Sequence, residues 1–214
     1  MYYMKPFISI LMLVFCISCN NASEIDTNQK DTAMTNEHTN HHSGASNTNL
    51  MSREMDKMME TMMAAPLTND ADHDFAQLMK GHHQAAVDMA RLELEQGRDS
   101  AMRRFAQGVV DGQSKEIARF ESFLSSSKPK GDDEATSQKM MATMHEHMEP
   151  YKPLRNQIDY DFVALMIPHH QSAVAMSEAY QRKGRDKELL GLAASIISSQ
   201  KVEIQLLQDW INAK

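Results

Sequence analysis

The chain has 214 residues, 42% of them apolar, with only 8 glycines and 6 prolines, a balance that favours helices over a turn-rich β fold. Its formal net charge of −7 excludes a broad basic surface for nucleic acid. The composition is unusual in its 19 methionines and 10 histidines.

The N-terminus reads as a processing segment. Lys5 supplies a small positive region, and Phe7 to Ile17 is an apolar run too short for a permanent membrane span. The run ends in Cys16-Ile17-Ser18-Cys19, which predicts a lipoprotein-type signal peptide over 1–18 and lipidation of Cys19; an ordinary signal peptide cut nearby is the alternative. The expected location is therefore outside the cytoplasm, periplasmic or at the outer membrane, with a lipid anchor. Both cysteines lie in this segment, so the mature chain offers no thiolate. A soft-metal site must then use thioether and imidazole, which suits an oxidising compartment.

Residues 19–49 are rich in Asn, Thr, Ser and Asp and cannot bury enough surface to fold, so they are expected to form a tether. Its His38, His41 and His42 are either a loose metal-catching tract or polar filler.

The remainder, 50–214, contains a duplication. Asp72 to Met89 aligns with Asp159 to Met176, Phe75 falling on Phe162, and the register holds through Gln113/Gln200 and Glu116/Glu203. Each repeat reads as helix, tight turn, helix. Gly97 and Gly184 are expected at left-handed C′ positions, with Asp99 or Ser100, and Asp186, capping the next helix. Helices over about 70–97, 100–125, 157–183 and 186–212 make an all-α four-helix bundle of two αα-hairpins, with repeats at about 70–124 and 157–212.

A Met-rich segment precedes each hairpin and is expected to form a short packed helix. The first carries Met51, Met55, Met58, Met59, Met62 and Met63; the second Met140, Met141, Met144, His145, His147 and Met148. Met58-Met59-x-x-Met62 aligns with Met140-Met141-x-x-Met144. In the first, Met51, Met55, Met58 and Met62 form a stripe; in the second, Met141, Met144, His145 and Met148 share a face. Ser125 to Thr136 is a linker between the halves.

The repeats share Met-x-x-His-His-x-x-Ala-x-x-Met. At about 100° per residue, Met79, His82, His83, Ala86 and Met89 fall on one inward stripe, as do Met166, His169, His170, Ala173 and Met176. Thioether sulfur and neutral imidazole suit the soft ions Cu(I) and Ag(I). No histidine has a glutamate three residues before it, unlike the Glu-x-x-His of di-iron bundles; the position is Met in Met79-x-x-His82, Met144-x-x-His147 and Met166-x-x-His169.

Structural alternatives exist. Met89, Met102 and Met176 suit core packing, and the histidine pairs could bond Gln84/Gln171 or carboxylates. Pro168, before His169, is expected to kink or interrupt its helix, and Gly81 to weaken the first copy there. No triad or phosphate-cradling loop is visible, and Asp and Glu read mainly as surface charge and caps.

The strings Met-Ile-Pro-His-His-Gln-Ser-Ala-Val-Ala-Met (166–176) and Ile-Ile-Ser-Ser-Gln-Lys-Val-Glu-Ile (196–204) closely resemble the ferritin-like family known as domain of unknown function 305. The resemblance implies an exported four-helix bundle with an internal repeat, and copper or silver binding for Met/His-rich members. Lys80-Gly81 departs from the apolar-Pro pair usual in that family. The expected function is Cu(I)/Ag(I) binding for sequestration, transport or tolerance, without catalysis, with copper export or chaperone proteins as protein partners. The alternatives are a ferritin-like metal oxidase and a metal-free structural bundle.

Overall fold

The computed structural model describes residues 49–147 and 149–214; Cys16, Cys19, His38, His41, His42 and Met148 lie outside the described residues. The described residues form six α-helices and no strand: α1 (Leu50–Ala64), α2 (Ala71–Gln96), α3 (Ser100–Ser126), α4 (Glu134–His145), α5 (Ile158–Gln181) and α6 (Lys187–Asn212). None of these helices is long and apolar enough to cross a membrane.

Asparagine and aspartate start most of the helices. The side chains of Asn49, Asp70, Asp99, Asp133 and Asp186 each accept backbone N–H bonds at their helix N-termini, satisfying donors that have no partner inside the helix. The α2–α3 and α5–α6 hairpins pack against each other through α2 and α5. Short α1 lies mainly on α2, and short α4 on α5. Nearly all of α5 is buried, as expected for a helix covered on every side.

The duplication appears as crosswise bonding. Asp159 Oδ1 accepts from the backbone N–H groups of Arg98 and Asp99, in the turn of the first hairpin, at 2.8 and 2.7 Å. Its counterpart Asp72 accepts from Arg185 and Asp186, in the turn of the second, at 2.8 and 3.2 Å. The Met-rich helices cross over too. Asn49, at the start of α1, donates to Asp161 on α5 at 2.7 Å, while Ser137, near the start of α4, donates to Asp74 on α2 at 2.5 Å. These four aspartates are structural clamps, not surface charge, because each bonds a segment distant in sequence.

Three local expectations change. Gly97 and Gly184 are not left-handed: the only positive-φ glycine among the described residues is Gly131. Glycine is needed there for close approach, because a Cβ at Gly97 would collide with the Glu93 carboxyl group and one at Gly184 with the Tyr180 ring. Pro168 does not interrupt its helix, which runs unbroken from Ile158 to Gln181. Proline leaves the Ala164 carbonyl without its usual helical donor, and the Tyr151 N–H fills that vacancy at 2.8 Å. Finally, α4 ends at His145, short of Met148, so the helical face expected to run from Met141 on to Met148 stops there; within the helix Met140 and Met144 are buried and His145 is exposed.

Candidate metal centre

α2 and α5 carry the two copies of the histidine motif to the middle of the bundle. His82, His83 and His170 are fully buried and His169 is 1% exposed. Met79, Met89, Met166 and Met176, one or two turns away on the same helices, are fully buried as well. His82 and His169 are equivalent positions of the repeats, and their rings stack with centroids 3.8 Å apart, tilted by 38°. His83 and His170 flank them, with centroids 6.3 and 6.1 Å from their neighbours.

The hydrogen bonds define which ring nitrogens are free. His169 Nε2 lies 3.0 Å from the His82 carbonyl, which can only accept, so Nε2 carries the proton and Nδ1 holds a bare lone pair. His83 Nε2 similarly donates to Glu116 Oε2 at 2.9 Å. His82 Nε2 meets the Ser172 hydroxyl at 3.2 Å. His170 Nε2 is 2.8 Å from Glu203 Oε2, but off the N–H direction, so proximity does not amount to a hydrogen bond there. All four Nδ1 atoms are buried without a hydrogen-bond partner.

Charge is excluded from the central pair. Burial, reinforced by the neighbouring imidazoles, holds His82 and His169 well below the usual histidine range, so both are neutral at pH 7. A neutral imidazole with a free Nδ1 is the form that ligates metal. Glu116 and Glu203 sit behind the flanking rings, where carboxylates orient ligating histidines in known metal sites. Neither carboxylate was expected as a partner of a particular histidine. Their recurrence in register at the two repeats was the available signal, and only the packing of α3 and α6 assigns them. Gln84 is not a histidine partner, because its amide donates to Asp88 at 2.9 Å.

The Met-rich helices supply the adjoining sulfur. Met58, Met62, Met140 and Met144 are buried, whereas Met59 and Met141 are partly buried against the core. Met62 Cγ lies 3.7 Å from the position a Cβ would take at Gly81, so Met62 covers α2 one residue before His82. A cleft of about 280 Å³ opens beside it, bordered by Met58, Gly81 and Gln84. His145 Nε2 lies 3.0 Å from Met63 Sδ. His147, in the turn after α4, donates from Nδ1 to the Thr143 carbonyl at 3.0 Å, leaving Nε2 as a free donor to metal. Among the described residues no three His, Cys, Asp or Glu side chains converge as a ligand set.

The model of the family described as Domain of unknown function (DUF305) matches residues 18–124 and again 125–211. The chain belongs to this family. The double match of DUF305 coincides with the two halves of the bundle. No curated protein matches the sequence. Among solved structures, CopM in the Cu(I)-bound form is 25% identical over 66% of this chain and 96% of that one, with a TM-score of 0.53. CopM in the Ag-bound form obtained by soaking is 26% identical over 66% and 95%, with a TM-score of 0.52. CopM in the Cu(II)-bound form is 26% identical over 66% and 97%, with a TM-score of 0.53.

Proposed function

We propose that the chain binds a soft monovalent ion, Cu(I) with Ag(I) as its surrogate, for sequestration, transport or tolerance. One observation carries this reading: a stacked, neutral His82/His169 pair with unpartnered Nδ1 atoms, buried in a region dense with methionine. Buried polar atoms ordinarily have partners. An ion ligated by Nδ1 would satisfy them, and since no three His, Cys, Asp or Glu side chains among the described residues converge, thioether sulfur is the natural completion of its coordination. The structural likeness to CopM with Cu(I) and with Ag supports the same choice.

The inner ligands are drawn from Met79, His82, His83, Met89, Met166, His169, His170 and Met176. Met58, Met59, Met62, Met140, Met141, Met144, His145 and His147 form an adjoining soft-donor region, and Met148 follows them in the sequence as a further candidate. We further propose that the chain acts outside the cytoplasm, anchored through lipidated Cys19 and exchanging ions with copper export or chaperone proteins; the Cys16-Ile17-Ser18-Cys19 segment supports the anchor. Titration of Cu(I) against a colorimetric chelator, with metal counted per chain, tests the binding. The chain should withdraw Cu(I) from the chelator, with excess Mg(II) or Ca(II) having no effect. A chain that leaves all the Cu(I) on the chelator contradicts the proposal.

A further inference from the structure

Met63 and His145 occupy equivalent positions of the two Met-rich helices, since the register that pairs Met59 with Met141 and Met62 with Met144 also pairs Met63 with His145. The two halves pack with matching interhelix contacts, α1 on α2 as α4 on α5 and α1 on α5 as α4 on α2. Equivalent residues that touch each other must straddle the axis relating the halves. Two such pairs touch here: His82 with His169 in the core, and Met63 with His145 at the ends of α1 and α4. Both therefore lie on one axis, the first fully buried and the second exposed.

The outer pair has soft-donor chemistry. Met63 is 54% exposed, and its sulfur faces an imidazole nitrogen at 3.0 Å. The 3.0 Å spacing is that of a hydrogen bond, and an ion bonded to both atoms, with bonds of about 2.0 Å to nitrogen and 2.3 Å to sulfur taken from zinc sites, would spread them to roughly 3.5–4.3 Å. Both side chains are exposed and free to move apart by that amount. One turn back on the same helix faces lie the partly buried Met59 and Met141, within reach of i,i+4 neighbours. Met62 and Met144, next in sequence to the surface pair, are 2% and 0% exposed, and Met62 covers α2 beside His82.

We propose that Met63 and His145, with Met59 and Met141 behind them, form a separate surface site for Cu(I) or Ag(I), through which the ion exchanges with its surroundings before reaching the buried histidines. The proposal rests on the soft-metal reading above. Solvent-facing donors trade ligands readily, whereas the buried pair is closed to a chelator. The methionines beneath the surface pair offer a run of neutral sulfur that the ion can follow inward without a counter-charge.

The test uses the full chain and its Met63→Leu/His145→Gln variant, both at exposed positions, with native folding checked by thermal melting. Each is mixed rapidly with the Cu(I) complex of a colorimetric chelator, and both the ions bound per chain and the rate of transfer are read. The variant should hold one ion fewer and load the remainder at least tenfold more slowly. An unchanged count, or an unchanged loading rate, overturns the proposal; the latter would place entry elsewhere, such as the cleft beside Met58. Failure of the parent itself to take up Cu(I) would defeat the underlying soft-metal reading, so the two failures are distinct. His145→Gln alone, which keeps the thioether, should slow loading by a smaller factor.

Discussion

Glu93 and Tyr180 occupy the same place in the two halves of the bundle, and each is directed at the aspartate that clamps its own hairpin turn. Tyr180 donates its hydroxyl proton to Asp72 at 2.7 Å. Both carboxyl oxygens of Glu93 are buried without a hydrogen-bond partner, and only a protonated Glu93 could donate to Asp159 as the tyrosine donates to Asp72. Burial, then the adjacent Asp159 carboxylate, and the charge of Asp99, push the Glu93 carboxyl up to about 9, against the opposing pull of Arg103. Where one half has a phenol bonded to its clamp, the other has a buried carboxylic acid held neutral.

This asymmetry predicts an alkaline weakness. The folded chain keeps a proton on Glu93 that the unfolded chain releases above its ordinary value of 4.5. The associated stability is complete below that value and is lost as pH rises through about 9. Urea midpoints of the metal-free chain should fall between pH 6 and pH 9. Glu93→Gln, which keeps a donor without a titrating proton, should flatten the decline; an equally steep decline in the variant would show that another group is responsible.

Glu116 and Glu203 stand behind His83 and His170. Glu116→Gln keeps the size of the side chain but removes the charge that orients His83. Ag(I) or Cu(I) affinity should fall by about 10- to 100-fold, the usual effect of losing such a partner. Isothermal titration of the folded variant checks this, and parental affinity would assign Glu116 to packing alone.

Replacement of Met58, Met59, Met62, Met140, Met141 and Met144 by leucine keeps apolar volume and removes sulfur. Each change should cost less than about 1.5 kcal/mol, so the helical content should persist. The variant should bind fewer Cu(I) ions, and what it loses should be the fraction that survives at pH near 4, because thioether has no proton to lose. A folded variant with the parental count at both neutral and acid pH would make these methionines packing residues.

Cys19→Ala should move the protein from the membrane to the soluble fraction of fractionated cells. Intact mass of the mature parent should show a lipidated Cys19. An unlipidated N-terminus at another residue would contradict the proposed anchor.

Much of the fold was legible because helical periodicity and capping are local. The paired strings around Phe75 and Phe162 located both hairpins, and Asp99 and Asp186 marked the turns. Burial of His82, His83, His169 and His170 followed from their place on one helical stripe. What escaped depends on contacts between helices. The partners of Asp74 and Asp161 come from the opposite half, and the Tyr151 N–H that accommodates Pro168 arrives from a preceding loop. The inward side of α4 was not legible, because its methionines and histidine spread around the helix and only packing on α5 decides which of them are buried. Gly97 and Gly184 were assigned to the correct turns for the wrong reason: the constraint is a neighbouring side chain, not backbone handedness.

The most direct test of the buried centre is the imidazole nitrogen NMR spectrum of the uniformly ¹⁵N-labelled chain, recorded as Ag(I) is added. Before addition, His169 should show a protonated Nε2 and a bare Nδ1, and His83 a protonated Nε2, as their bonds to the His82 carbonyl and Glu116 require. On binding, the Nδ1 resonances of His82 and His169 should shift while Nε2 of His169 keeps its proton. If Ag(I) binds and no Nδ1 resonance of His82, His83, His169 or His170 moves, these histidines are structural and the ion sits elsewhere.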